Sequence, residues 1–277
     1  MRRGPRLALL GLALMAAAAA GPVPGRPLVA AHRGGALLWP ENSLLAYRSA
    51  LGLGVDYVET DVHLTADGEV VVMHDPTLER TSTGIGALRE RTLADLGPVR
   101  LRARDGSVTD ERVPTLAQLL DLLAPSRAGL LLEIKVDERK QRHPGIEEKV
   151  LALVRSRKMD GRTLVMAFER DTVARVRELD PAIPTVLLIG RGQVQRERVW
   201  PAESVKWAAG LGATAIGYNH RLIDADVVAA ARKAGLTLAA WTVNEEADIR
   251  RVLGLGVDVV ISDRPDVARR LVDRPKP

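Results

Sequence analysis

Eight short apolar runs recur along the chain, each followed by a polar cluster and then an amphipathic, helix-periodic stretch. They are Leu28–Ala31, Tyr57–Val62, Leu130–Ile134, Leu164–Ala167, Thr185–Ile189, Ala213–Gly217, Leu236–Ala240 and Asp258–Ile261. Runs of this length, apolar on both faces, suit parallel strands covered by helices. The junctions leading into them echo one another. LGLGVDYVETD (51–61) returns as LGLGVDVVISD (253–263), and AGLGATAIGYN (209–219) is laid out like AGLTLAAWTVN (234–244). In each, a glycine is placed to end a helix in the left-handed conformation, with the strand a few residues on. Eight such units in about 250 residues have the size of a TIM (β/α)8 barrel. The runner-up is an open doubly wound sheet. That fold usually carries a glycine-rich phosphate loop after its first strand, and His32-Arg33-Gly34-Gly35 is not that motif.

One segment breaks the rhythm. Thr65-Ala66-Asp67-Gly68 stands between Tyr57–Val62 and a second β-rich run, Glu69–Met73, so the second strand extends into a hairpin arm. Centring the turn between Asp67 and Gly68 sets Asp61 opposite His74. The stretch from Pro76 to Pro114 is charged, glycine-containing and aperiodic. It reads as an inserted lobe after the second strand (76–114), and a helix follows at Leu116–Ala124.

Residues 1–20, MRRGPRLALLGLALMAAAAA, join a basic head to a short apolar core and small residues, the layout of a secretory signal peptide. The alternative, an uncleaved anchor, is disfavoured because the apolar core is short and rich in alanine. The expected organisation is a signal peptide (1–20) cleaved near Ala20–Gly21, a Pro/Gly linker (21–27) and one barrel domain (28–277). Such a protein is exported, to the periplasm or the medium, without stable membrane insertion after cleavage. The net charge of +5 and the pI near 9.8 taken alone point to a polyanion or a membrane surface. Removing the three arginines of residues 1–20 lowers +5 to +2, and the chain has only four Trp, three Tyr and one Phe. So few rings argue against a base-stacking nucleic-acid surface. The absence of cysteine excludes disulfides, thiolate zinc sites and cysteine nucleophiles.

In a barrel the chemistry sits where strands end. Those ends carry His32-Arg33, Glu59 and Asp61, His74-Asp75, Glu133 and Lys135, Phe168, and Trp241. Alternation along a strand puts Glu59 and Asp61 on one face, and Glu133 with Lys135 on one face. Glu59 and Asp61 could be surface residues in salt bridges. Their flanks Val55, Val58 and Val62 favour burial instead, where unpaired carboxylates are costly. With Glu133 they form an oxygen-only set that suits Mg²⁺ or Ca²⁺. His32 and His74 are two of only five histidines, and paired imidazoles serve as general acid and base. Arg33 offers paired donors to a phosphate, although a solvated surface role is its competitor. Lys135, one of only seven lysines, either bridges Glu133 or faces a developing anion. The other candidates look weaker. His63 reads as peripheral on the hairpin, His143 as exposed, and His220 as at most a residue of the mouth. Trp200 and Trp207 read as helix packing, and Asp263 as the start of the last helix.

AHRGG…PENS (31–43), VETDVHLTADGEVVVMHD (58–75), LLLEIK (130–135), AWTVN (240–244) and VDVVISDRPD (257–266) resemble the glycerophosphodiester phosphodiesterases, from about Leu28 to Val267. The resemblance implies a TIM barrel with an insertion after the hairpin. It implies metal-dependent hydrolysis of deacylated phospholipids, such as glycerophosphocholine or glycerophosphoethanolamine, to sn-glycerol 3-phosphate and an alcohol. It makes His32 and His74 the acid/base pair and Glu59, Asp61 and Glu133 the ligands of one divalent cation, Mg²⁺ or Ca²⁺. Arg33 and Lys135 become phosphate contacts, and Trp241 with Phe168 shapes the glycerol pocket. There are two departures. Ser43 stands where Thr is usual, which keeps a hydroxyl helix cap, and Ala167 replaces a common Ser. The alternatives are a lysophospholipase D or sphingomyelinase D-like enzyme acting on intact lipids, and a non-catalytic binding barrel.

Overall fold

The computed structural model describes residues 26–273. The signal-peptide reading of 1–20 and most of the linker fall outside the described residues. In chain order the strands are β1 (Leu28–Ala31), β2 (Tyr57–Leu64), the arm strand β3 (Val70–Val72), and β4 (Arg100–Arg102) with β5 (Val108–Arg112) in the insertion. They are followed by β6 (Gly129–Ile134), β7 (Thr163–Ala167), β8 (Thr185–Ile189), β9 (Ala215–Asn219), β10 (Thr237–Trp241) and β11 (Val259–Ser262). Eight of them pair in parallel in the order β1-β11-β10-β9-β8-β7-β6-β2, and β1 meets β2 to close the barrel. A helix or helical turn precedes each return to the sheet. This is the TIM barrel the repeated units imply.

Each strand has a reason to be where it is. Ala30, Leu131, Met166, Val186, Leu188, Ala239 and Ile261 fill the lumen, while the opposite faces of the strands pack under the helices. Burial on both faces is what makes the strands read as continuous apolar runs. The junction glycines Gly54, Gly212, Gly235 and Gly256 all have positive φ, between 65° and 87°. The echoed Asp after two of them also has a job. Asp56 accepts the backbone N–H of Val29 at 2.9 Å, and Asp258 accepts that of Leu238 at 2.7 Å. Each thereby pins the neighbouring strand at the floor of the barrel.

Two details differ from the sequence reading. β9 begins at Ala215 and runs through Gly217 to Asn219, two residues later than the apolar run. Gly217 lies within that strand, where Leu188 Cδ2 comes within 2.8 Å of the place a Cβ would take and the Trp241 indole stands at contact distance. The hairpin is one residue out of the expected register. Thr65 pairs with Glu69 around a three-residue loop with Gly68 at φ +79°, so Asp61 faces Met73 rather than His74.

The segment between β3 and helix Leu116–Leu123 builds its own small core from Leu78, Leu88, Leu96, Leu101 and Val113 against Val71 and Met73 of the arm. Thr92 and Asp95 cap one another's backbone at its short helix, Leu93–Leu96. Among the described residues no helix is long and apolar enough to cross a membrane.

Candidate active site

The backbone after β1 is bent to bring two elements together. Arg33, Gly34 and Gly35 have φ of 51°, 80° and 107°, and a Cβ on Gly34 would sit 2.7 Å from that of Ala46. This turn lets the Arg33 N–H donate to Glu59 Oε2 at 2.8 Å. A non-glycine residue in left-handed geometry is tolerated where surrounding contacts over-determine it. Ser43 caps the following helix through the Ala46 N–H at 3.0 Å, as its hydroxyl implies.

A cavity lies at the carboxyl ends of the strands. His32, Arg33, Glu59, His74, Glu133, Lys135, Phe168 and Trp241 line it, with Met166, Leu188 and Ile261 below and Thr242 at the side. Asp61 is fully buried beneath them. Of the nine residues singled out from the sequence, eight therefore face the cavity and the ninth supports it.

Glu59, Asp61 and Glu133 offer oxygens that all lie within 4.8 Å of one another, and all three residues are buried. Among the described residues Asp61 Oδ1 accepts no hydrogen bond. A buried, partly unpartnered, oxygen-only set of this kind fits a hard divalent cation. Burial and the charge of Asp61 push Glu59 up to about 8, against the influence of His32. Burial also works against ionisation of Asp61, but Lys135, His74 and Arg33 outweigh it and hold the carboxyl well below the usual range. Lys135 Nζ stands 2.7 Å from Glu133 Oε1 and 3.4 Å from Asp61 Oδ1. Burial disfavours its ammonium, yet those two carboxylates leave its pKa raised. Arg33 reaches Asp61 Oδ2 at 3.4 Å through Nε and Glu41 at 3.0 Å through Nη1. Both cations are thus fixed at the cavity rather than solvated.

Each histidine is backed by a carboxylate. His32 Nδ1 lies 2.6 Å from Asp263 Oδ1, and His74 Nδ1 lies 2.6 Å from Asp75 Oδ1. An ionised carboxylate only accepts, so each Nδ1 carries the hydrogen and each Nε2 is the available nitrogen. Burial lowers the His32 pKa, but Glu59 and Asp263 outweigh burial and leave it raised. The bond from His74 and the Arg80 guanidinium hold Asp75 low. On the far wall, Phe168 and Trp241 meet edge to face with centroids 5.4 Å apart, and Lys135 lies 5.9 Å from the Phe168 centroid.

Several other placements differ from the sequence reading. Asp263 does not merely open the last helix. It takes the His32 bond and is itself held by Asn244 Nδ2 at 2.8 Å. His143 is buried, its Nε2 3.1 Å from His63 Nδ1, and His63 is fully buried with Nε2 3.2 Å from the His74 carbonyl. His220 pairs with Asp248 at 3.7 Å and stays out of the cavity. Trp207 packs as expected, under the Arg170 guanidinium at 3.9 Å, but Trp200 is 78% exposed. Asn42 is a residue that the sequence reading missed. Its amide donates to Asp61 Oδ2 at 3.0 Å, and its carbonyl accepts from Tyr47 at 2.6 Å.

Two imidazoles anchored at Nδ1, two fixed cations and a buried carboxylate set that fits a hard cation, gathered at the mouth of a barrel, define the class, a TIM-barrel hydrolase acting on a phosphate ester. The family is more specific. The profile of the glycerophosphoryl diester phosphodiesterase family matches residues 32–267, and the chain belongs to that family, among the phosphoric diester hydrolases. It is 31% identical over 263 residues to a glycerophosphodiester phosphodiesterase of Bacillus subtilis, covering 90% of this chain and 87% of that one. A glycerophosphodiester phosphodiesterase of Caldanaerobacter subterraneus is 30% identical, with 89% and 98% covered. Among solved structures, an Oleispira antarctica phosphodiesterase in complex with the product sn-glycerol 3-phosphate superposes with a TM-score of 0.75. It is 26% identical, with 90% of this chain and 98% of that one covered. A glycerophosphodiester phosphodiesterase from Agrobacterium tumefaciens gives a TM-score of 0.73 at 27% identity, with 88% and 99% covered.

Proposed function

We propose that this protein hydrolyses glycerophosphodiesters of the glycerophosphocholine and glycerophosphoethanolamine type to sn-glycerol 3-phosphate and the free alcohol. The observation that carries this reading is the pair of imidazoles, each anchored at Nδ1 and both opening on the cavity of the carboxylate cluster. Glu59, Asp61 and Glu133 hold one divalent cation, Mg²⁺ or Ca²⁺, which when bound supplies Lewis-acid stabilisation of phosphate charge. Arg33 and Lys135 hold the non-bridging oxygens, and Phe168 with Trp241 walls the glycerol.

One imidazole Nε2 takes the proton of the glycerol 2-hydroxyl as that oxygen bonds to phosphorus. The other, protonated, gives its proton to the departing alcohol oxygen as its bond to phosphorus breaks. Water then adds to the phosphorus of the cyclic product and passes its proton to the second imidazole. The first returns its proton to the 2-oxygen as that bond opens, which restores both nitrogens.

A soluble diester suits the site better than an intact lipid. Leu88 and Leu96 of the insertion are buried in its own core, and its exposed apolar side chains Ile85 and Val108 do not line the cavity. The test is release of glycerol 3-phosphate, read by a coupled assay, from a panel of diesters and lysolipids with Mg²⁺ or Ca²⁺. His32→Ala and His74→Ala should abolish it. Full activity in EDTA, or in either variant, overturns this mechanism. The basic-headed apolar N-terminus supports export. Cell fractionation with mass measurement of the mature N-terminus checks it, and a cytosolic protein that keeps residues 1–20 overturns it.

A further inference from the structure

The two histidine–carboxylate pairs are tethered differently. Asp263 is held from inside the barrel, with Asn244 donating to its free oxygen at 2.8 Å and accepting its backbone N–H at 2.9 Å. Asp75 has no such partner on the barrel. It adjoins His74 in the chain at the end of the arm, where a carboxylate left to itself rotates freely. Its only other partner among the described side chains is Arg80, from the insertion. Arg80 Nε donates to Asp75 Oδ2 at 2.5 Å, and Nη2 donates to Oδ1 at 3.0 Å. Oδ1 is the oxygen that also takes the His74 Nδ1 hydrogen.

The same guanidinium is anchored on its other edge. Nη1 and Nη2 donate to the two oxygens of Glu41 at 2.9 and 2.8 Å, and Glu41 in turn binds Arg33. A planar fork between two carboxylates has a set direction that a flexible ammonium lacks. The backbone carrying it is fixed as well. Leu78, two residues before, is buried in the core of the insertion, and Thr81 beside it accepts the Arg102 N–H at 2.8 Å.

We infer that Arg80 is the positioning residue of His74: through Asp75 it locks the imidazole in the tautomer and orientation that present Nε2 to the cavity. The inference rests on the acid/base reading of His74, and it gives the insertion a function. The insertion works as a brace that completes the second histidine.

The experiment compares the full chain with Arg80→Ala, Arg80→Lys, Asp75→Asn, Glu41→Gln and Arg80→Ala combined with either Asp75→Asn or Glu41→Gln. With glycerophosphocholine and Mg²⁺, Arg80→Ala should lower kcat about 10–100-fold and change KM little, since a positioned acid/base supplies about 10²–10⁴-fold in all. Arg80→Lys keeps the aliphatic stem but not the fork, and should recover only part of the loss. In the Asp75→Asn background the same Arg80→Ala change should cost less than about twofold, because the two act as one unit.

A second readout needs no turnover. The downfield imidazole ¹H NMR signals should include one Nδ1 proton lost in His74→Ala and another lost in His32→Ala. The His74 proton should broaden or vanish in Arg80→Ala while the His32 proton persists, which also reports an intact barrel. Two outcomes overturn the inference. One is a wild-type kcat, or an unchanged His74 proton, in Arg80→Ala. The other is a loss that persists in the Asp75→Asn background and vanishes in Glu41→Gln, which places the effect on Arg33 instead. A wild-type protein inactive on every diester, with the NMR pattern as expected, sinks the proposed function and leaves the tether standing.

Discussion

His32 donates its Nδ1 hydrogen to Asp263, 231 residues further along the chain, across 2.6 Å at the seam where β1 meets β11. The second oxygen of Asp263 accepts the Asn244 amide at 2.8 Å, and the Asn244 carbonyl is already committed to the Asp263 N–H. Asn244 therefore has only a donor to offer the side chain at 263. In Asp263→Asn the new carbonyl must turn to Asn244, and the new NH₂ then faces His32 Nδ1. That forces the hydrogen onto Nε2, the wrong nitrogen for a base. We expect kcat to fall by about a hundredfold or more with the fold retained, by the logic of an orienting carboxylate behind a catalytic histidine. Steady-state kinetics with a thermal melt checks it, and an Asp263→Asn enzyme with more than a tenth of the activity refutes it.

The carboxylate cluster makes opposite demands with and without a cation. Glu59, Asp61 and Glu133 are buried within 4.8 Å of one another. Without a cation among them, burial and the charge of Asp61 push Glu59 up to about 8, so near neutral pH the folded state holds Glu59 protonated at a cost in stability. Glu59→Gln is neutral without that protonation cost and keeps an oxygen for the Arg33 N–H. In EDTA this variant should melt higher than wild type. With added Mg²⁺ or Ca²⁺ the order should reverse, because wild type gains stability from a ligand bound only by the folded state and the variant has lost a ligand. Paired melts with and without cation decide it, and equal responses in the two proteins would remove Glu59 from the ligand set.

Much of this was legible in the chain, for identifiable reasons. Parallel strands buried on both faces write themselves as short apolar runs, so the barrel could be read directly. The strand-end residues stood out because they are charged groups inside apolar segments and because histidine and lysine are scarce here. The partners of those residues were not legible. Asp75 stood beside His74 without a role, Asp263 read as the start of the last helix, and Arg80 belongs to a background of 40 basic residues. What distinguishes them is a neighbour supplied by closure of the barrel or by the insertion. The hairpin register failed by one residue because a three-residue loop and a two-residue turn share the same Asp-Gly signal. His143 read as exposed from its charged surroundings, and only the pairing with His63 on β2 accounts for its burial.

That buried pair predicts a pH dependence of stability. Burial holds the His143 imidazole below its ordinary value. In the unfolded chain the same group protonates near its usual pKa of about 6.5. As pH falls below that value the unfolded state binds more protons than the folded one, so this residue's contribution to stability declines with acidification and is level above it. His143→Gln keeps a polar group for His63 without the titration. Its melting temperature should fall less than that of wild type between about pH 7 and pH 5. If the two proteins lose stability in parallel over that range, His143 is not the titrating group.

The pocket wall depends on an absence. Gly217 lies inside β9, and a Cβ there would stand 2.8 Å from Leu188 Cδ2 and 3.5 Å from Trp241 Cδ1. Leu188 and Trp241 both line the cavity, and Trp241 also meets Phe168 edge to face. Gly217→Ala must therefore displace the Leu188 side chain, and with the Trp241 indole already at contact distance the leucine is turned towards the space proposed for the glycerol, while the histidines and carboxylates on the opposite strands stay in place. Because the atom met is the far end of a flexible leucine, the stability cost should sit at the low end of the about 1–3 kcal/mol of core overpacking. Its kinetic mark should be a KM raised several-fold with kcat changed less, since the lost space serves binding rather than proton transfer. A kcat lowered with KM unchanged would show instead that Trp241 positions the reacting groups.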